Sequence, residues 1–238
     1  MTVAVVVPTY NEAEVLPEFV HQLFSLSIPD LQLIVVDDSS PDGTGKLAES
    51  LSINHGGNIK VLHRRGKLGL GTAYVQGFQY ALKQGADYII QMDADLSHSP
   101  EYIPAFLQEL KKVEVVIGSR YVPGGGLDKK WGMRRRALSY LGNLYIRLAS
   151  GIKVKDATSG FKGFRSYVLS SLDWSKFKCK GFAFQAEMAY ACERKKFRID
   201  EYGITFAERA SGRSKISINI VIEALWRFLP LRWSRKSG

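Results

Sequence analysis

The sequence predicts an α/β fold: a doubly wound, mostly parallel sheet with helices on both faces. Three observations predict it. Short β-branched runs recur through the first half of the chain, separated by stretches of helical period. The runs are largely continuous in apolar residues rather than alternating, as expected of strands buried on both faces. Polar and charged residues gather where the runs end, and in such sheets ligands sit beyond the carboxyl ends of the strands.

"VAVVVP" (3–8) reads as the first strand and "NEAEVLPEFVHQLFSL" (11–26) as the helix after it, with Asn11 and Glu14 at capping-box-like spacing and Pro17 early in the run. "LQLIVVDD" (31–38) is the second strand, followed by turn chemistry in "SPDGT" and a helix in "GKLAESLS". "IKVLHR" (59–64) is the third strand, and "GLGTAYVQGFQYALKQG" a helix that Gly85 closes. "DYIIQMD" (87–93), a helical "PEYIPAFLQELKK" and "VEVVIGSR" (113–120) complete the alternation. Beyond Tyr121 the rhythm changes. A Gly-rich, basic stretch reads as a mobile loop, a helix is expected at about 135–150, "FAFQAEMAYACERK" is helical, and a strand is expected near "IDEYGITF". No internal repeat interrupts the chain. Residues 1–215 read as one domain and 216–238 as an amphipathic tail.

The composition narrows the partners. Thirty-three basic against 23 acidic residues leave a formal charge of +10, which suits an anionic partner such as phosphate or a membrane surface. Two cysteines supply no disulfide framework, which points to a reducing compartment. The first residues already read as a strand, and no apolar run reaches the roughly 18–20 residues that span a bilayer. The expected location is therefore the cytoplasmic side, in solution or peripheral to a membrane. Aromatics are not interleaved with the basic run, so no nucleic acid is expected.

The chemistry concentrates in "MDADLSH". Asp93 and Asp95 follow a strand two residues apart, so both carboxylates can face one ion. Oxygen-only ligands favour a hard cation, Mg²⁺ or Mn²⁺, shared with a diphosphate. Zinc is disfavoured, because no histidine stands at ligand spacing from a cysteine. "VVDDSSPDG" places Asp37 and Asp38 at the end of strand two, where related folds hold a ribose or base; the same residues could simply cap a loop. "GLGTAYVQG" fails the dinucleotide spacing and reads as turn and packing chemistry.

Taken in order, "VVVPTYNE", "VVDDSSPDGT", "GLGTAY", "MDADLSH", "GSRY" and "SGFKGFR" closely resemble the dolichol-phosphate mannose synthases, family-2 glycosyltransferases of the GT-A fold. The resemblance implies transfer of mannose from GDP-mannose to a polyprenyl (dolichyl) phosphate at the cytoplasmic membrane face, with inversion. It implies that Pro8, Tyr10 and Glu12 line the nucleoside pocket with Val36 and Asp38. Asp93, Ala94 and Asp95 would meet the diphosphate and metal, and Arg120, Arg209 and Lys215 would bind phosphates. Asp95 and Arg120 become the catalytic pair. Some relatives carry a glutamine metal ligand where this chain has Ser97, so Ser97 is a substitute ligand, directly or through water. A UDP-glucose-dependent enzyme with the same acceptor, and a noncatalytic nucleotide-sugar-binding subunit, remain alternatives. A membrane-anchoring subunit is a further expected partner.

Two basic stretches then acquire a use. Lys129, Lys130, Arg134, Arg135 and Arg136 would neutralise the lipid phosphate and anionic headgroups. "SINIVIEALWRFLPLRWSRK" places Asn219, Glu223 and Arg227 on one stripe of a helix that is otherwise largely apolar, ending in tryptophan and basic residues. That pattern suits a membrane interface.

Overall fold

The computed structural model describes residues 1–128, 131–179, 181 and 183–207. β1 (Val3–Thr9), β2 (Leu31–Asp37), β3 (Ile59–His63) and β4 (Tyr88–Gln91) are linked by α1 (Leu16–Ser25), α2 (Thr44–Asn54) and α3 (Leu70–Lys83). A 3-10 turn and α4 (Ile103–Glu109) lead to β5 (Val115–Ser119), then β6 (Gly126–Leu127) and α5 (Met133–Ser150). β7 (Lys162–Arg165), α6 (Ser166–Ser170), α7 (Phe184–Arg194), β8 (Ile199–Gly203) and β9 (Thr205–Phe206) follow. The main sheet has the order β3-β2-β1-β4-β7-β5-β8, and β6 pairs with β9 in a small second sheet.

Alternation along β1 explains the two-sided core. Val3, Val5 and Val7 pack towards α1 and α4 with Phe19, Leu23 and Phe106, while Ala4 and Val6 pack towards α3 and α7 with Phe78 and Phe184. All five are fully buried, and each buried valine contributes roughly 1.5–3 kcal/mol. This is a mixed α/β fold, mostly parallel as the sequence predicts.

Three local features differ from that reading. β7 runs antiparallel between β4 and β5, pairing Gln91 with Lys162 and Val115 with Phe164. Its residues, "KGFR", lack the β-branched signature of the other strands. What holds it is tertiary: Phe164 is fully buried, and the Arg165 guanidinium donates to the Leu110 and Lys111 carbonyls at 2.6 and 2.7 Å. The first helix begins at Leu16 rather than Asn11, without a side-chain cap. The N–H groups of Glu12 and Ala13 are donated instead to Thr44 Oγ1 and Asp42 Oδ2 at 3.0 Å each. Residues 11–13 are thereby tied to the loop between β2 and α2. Finally, the Gly-rich stretch expected to be a mobile loop is tied by the β6·β9 ladder, with Gly126 N donating to Ile204 O and Asp128 N to Phe206 O, 3.0 Å each.

Candidate active site at the carboxyl edge

β1 and β4 are paired from Val3↔Tyr88 to Val6↔Gln91, and Met92 N still donates to Val6 O at 3.3 Å. Continuing that register brings Pro8 level with Asp93. Pro8 has no N–H to extend the ladder, so the strands part there. The strand order also reverses between these two strands, which is where an open α/β sheet forms its ligand crevice.

Asp93 stands at this opening. The fully buried Tyr74 of α3 donates its hydroxyl to Asp93 Oδ1 at 2.7 Å. Burial first, and then the adjacent carboxylate, push the Tyr74 phenol well above its ordinary range, so it stays a donor. Asp95 is nearly buried and accepts at Oδ1 from both the backbone N–H and the hydroxyl of Ser97. Ser97 is fully buried, and its hydroxyl orients Asp95. Ala94, also buried, leaves its backbone to shape the turn. Gly160 closes the other side: a Cβ there would come within 3.2 Å of His98 Cε1 and 3.3 Å of Asp93 Oδ2. His98 is buried against Phe161 and Phe206, and neither ring nitrogen has a protein partner among the described residues. Burial holds its pKa down against the pull of Asp93 and Asp95.

Among the described residues, no group of three or more His, Cys, Asp or Glu side chains could hold an ion unaided. Two carboxylates at a crevice are an incomplete, oxygen-only sphere. That donor set fits a hard divalent cation whose remaining positions are filled by diphosphate oxygens and water.

The end of β2 is built differently. Asp38 is buried, pairs with the Arg64 guanidinium, and accepts from Leu68 N and Gly69 N at 3.2 and 3.4 Å. Arg64 also reaches Thr72 Oγ1 and the Gly69 carbonyl. Asp37 takes the Thr9 hydroxyl at 2.9 Å together with the N–H and hydroxyl of Ser40. Gly69, at φ +104, turns the chain into α3 in a conformation few other residues adopt. Val36 is fully buried in the core beneath α3, so its side chain does not line a nucleoside pocket. Tyr10 and Glu12 remain at the rim, half-buried, with the Lys67 ammonium 3.9 Å from the centre of the Tyr10 ring.

Arg120, beyond β5, is committed internally. Its Nε and Nη2 each lie 2.7 Å from an oxygen of Asp156, and Nη2 is also 2.7 Å from Thr158 Oγ1. Burial alone would raise the Asp156 carboxyl, but Arg120 outweighs it and holds the group below the usual range. A bidentate carboxylate answers most of the guanidinium and fixes the orientation of Arg120 beside the end of β5. Asp156 is the residue the sequence reading missed. It rides on a strap whose Lys153 and Val154 N–H groups bond Glu193, while those of Lys155 and Asp156 bond Glu201. Only the "D" of "DATSGFKGFR", four residues before Gly160, hinted at it.

Of the basic run, Arg135 stacks on buried Trp131 at 3.6 Å and Arg136 donates to the Asp128 carbonyl at 2.7 Å. Arg134 is exposed. Lys129, Lys130, Arg209, Lys215 and the tail at 216–238 lie outside the described residues.

A seven-stranded, mostly parallel sheet opening onto a strand-end carboxylate pair defines a GT-A glycosyltransferase. The chain belongs to glycosyltransferase family 2: the family described as "Glycosyl transferase family 2" matches residues 4–173. It is 41% identical over 225 residues to the undecaprenyl-phosphate mannosyltransferase of Micrococcus luteus, covering 94% of this chain and 91% of that one. It is 40% identical over 224 residues to the polyprenol monophosphomannose synthase of Mycolicibacterium smegmatis, covering 94% and 84%. Among solved structures it resembles mannosyl-3-phosphoglycerate synthase from Rubrobacter xylanophilus, with TM-score 0.71 and 20% identity over 100% of this chain and 75% of that one. It also resembles glucosyl-3-phosphoglycerate synthase from Mycobacterium tuberculosis, crystallised with Mn²⁺, UDP and phosphoglyceric acid, with TM-score 0.68 and 17% identity over 98% and 78%. At those identities the structural likeness speaks to the fold alone.

Proposed function

We propose that this chain transfers mannose from GDP-mannose to a polyprenyl or dolichyl phosphate, inverting the anomeric centre. The observation that carries the reading is the 41% identity to an undecaprenyl-phosphate mannosyltransferase over nearly the whole chain. The D-A-D turn at the β1/β4 crevice supports it.

Asp93 and Asp95 would hold a Mg²⁺ or Mn²⁺ ion, which when bound offsets charge on the diphosphate leaving group. The chain's own contributions are positional. Tyr74 and Ser97 fix the two carboxylates before substrate arrives, so little reorganisation is needed. Pro8, Tyr10 and Glu12 form the rim at which a nucleoside would lie, and Asp38 with Arg64 keeps that rim rigid. Arg209 and Lys215 remain proposed phosphate contacts. In the reaction, an acceptor phosphate oxygen bonds the anomeric carbon while the bond from that carbon to the diphosphate oxygen breaks, releasing GDP. A phosphate monoester has a second pKa of about 6 and is mostly ionised at neutral pH, so the nucleophile requires no protein base.

The acceptor's lipid implies work at a membrane surface. Among the described residues no helix is long and apolar enough to cross a membrane. α5 instead exposes Met133, Leu138, Tyr140, Leu141 and Leu148. Met133, Tyr140, Leu141 and Leu148 fall on one stripe, with Arg134 beside it, the amphipathic arrangement that suits a bilayer surface.

A donor screen tests the assignment. Purified protein with Mg²⁺ or Mn²⁺ and a short polyprenyl phosphate should turn over GDP-mannose and give the β-mannosyl product by NMR. Turnover of UDP-glucose instead would make it a glucosyltransferase. No turnover of either, with nucleotide still bound, would make it a binding subunit.

A further inference from the structure

Beneath Asp93, on the sheet face covered by α3 and α7, the apolar layer is interrupted by three fully buried polar residues: Gln91, Lys162 and Gln185. The Lys162 ammonium donates to Gln185 Oε1 at 2.9 Å and to the Ser159 carbonyl. Gln91 Nε2 donates to the same Gln185 oxygen and, at 3.0 Å, to the Gly160 carbonyl. These bonds pin the Ser159–Gly160 turn, and Gly160 is the residue whose backbone fits between His98 and Asp93. Lys162 makes no ion pair among the described residues, although burying an unpaired ammonium is expensive. A methionine would fill the space without that penalty.

The surrounding charges suggest why a lysine stands there. Asp93 beyond β4 and Asp156 on the strap attract it, while Arg120 beyond β5 repels it; burial pushes the neighbouring Cys192 thiol on α7 up to about 12, so it adds no charge near neutral pH. His98, in the loop after β4, shares its field. Lys162 is thus a positive charge fixed just below the place where diphosphate charge would arrive.

We propose that Lys162 is a positioning residue for the donor diphosphate: its buried ammonium holds the Ser159–Gly160 turn against Asp93 and supplies a fixed positive charge that the diphosphate senses through the site floor. This rests on the reading of the D-A-D turn as a nucleoside-diphosphate site. Burial, opposed by Asp156, brings the Lys162 pKa down to about 7. The signs follow. Donor affinity should weaken as pH rises through about 7 and the charge is lost. Folding stability should rise over the same range, because the unfolded lysine keeps its proton up to its ordinary range while the folded one gives it up.

Two variants of the full chain, Lys162→Met and Gln185→Glu, test this. Gln185 Nε2 has no hydrogen-bond partner among the described residues, so Gln185→Glu keeps both accepted bonds, retains the shape and cancels the lysine charge with a carboxylate. The probe is GDP with Mn²⁺, titrated calorimetrically from pH 6 to 9 alongside thermal denaturation. Both variants should bind GDP roughly tenfold more weakly at pH 6.5, on the scale of one charge at close range in a partly buried site. Both should also lose the parent's weakening between pH 6 and 8. Lys162→Met should melt higher than the parent at pH 6, with a smaller gain at pH 9. Parent-like GDP affinity in Gln185→Glu would overturn the proposal even if Lys162→Met failed to fold. So would a Lys162→Met protein that melts lower yet binds GDP as the parent does. If the parent itself takes up no GDP with Mn²⁺, the nucleotide reading falls and this proposal falls with it.

Discussion

The ends of β2 and β4 offer the same residue type at equivalent places, and the fold treats them in opposite ways. Asp38 is closed by a buried arginine and two backbone N–H groups. Asp93, two strands away, accepts from one tyrosine hydroxyl among the described residues. An anion whose acceptor sites are all answered within the fold has little to offer a ligand. One that is oriented but under-coordinated at a crevice has much. The contrast separates a carboxylate that shapes the site from one that binds in it, a distinction a strand-end aspartate in a sequence cannot display.

The largest effect should come from the β4 end. Asp95→Asn retains an Oδ1 acceptor for Ser97 while removing a charge from the carboxylate pair. Turnover should fall by at least roughly a hundredfold, the scale for losing one transition-state stabiliser. The melting temperature should hold or rise, since two neighbouring acids repel. Steady-state rates and thermal denaturation together check this. Parent-like turnover would remove the D-A-D turn from the active site and dissolve the contrast.

Next in size is the β2 end, where the order of effects should invert. Asp38→Asn strands the Arg64 guanidinium, whose side chain is only 4% exposed. Breaking a buried pair from one side costs about 3–5 kcal/mol. Denaturant midpoints should fall accordingly, while turnover per folded molecule changes far less than in Asp95→Asn. A stable Asp38→Asn protein with severely weakened nucleotide affinity would show that Asp38 contacts the nucleoside directly, as the family resemblance implies, and that Arg64 gives it up when donor binds.

The same contrast explains what was legible beforehand. β1 to β5 could be read because continuous β-branched runs are a local signal of burial on both faces. The D-A-D turn stood out because its spacing, strand-end position and neighbouring motifs agreed. β7 could not be read, since "KGFR" acquires its strand from its ladders to β4 and β5 and from bonds to the turn after α4 and to α7 rather than from propensity. The pairing of Arg120 with Asp156 was equally hidden: the two are 36 positions apart, and a strap held by Glu193, Glu201 and Asn143 brings them together. Sequence showed which side chains carry charge. It did not show which charges were already answered, and on that point the Arg120–Asp156 and Arg64–Asp38 pairs could be seen only in the fold.

The smallest effect should come from the hydrogen bond that Asp93 receives from Tyr74. Tyr74 lies in the core between Phe78 and Phe184, with ring centroids 5.8 and 6.1 Å away, so its ring is held by packing and survives loss of the hydroxyl. Tyr74→Phe therefore removes little besides the 2.7 Å bond to Asp93. Asp93 is half-buried at the crevice, so water can replace the lost donor and the stability cost should stay below the roughly 1–3 kcal/mol of a fully buried, unanswered acceptor. The functional consequence is looser aim. Without the hydroxyl, Asp93 samples other rotamers, and the metal concentration for half-maximal turnover should rise up to roughly tenfold, the low end for loss of an outer hydrogen bond. At saturating metal the carboxylate pair is reassembled, so kcat should return close to the parent value. A fall in kcat that metal does not restore would mean that the Tyr74 hydroxyl acts on substrate itself. The β4 end would then be a site built from α3 as much as from the D-A-D turn.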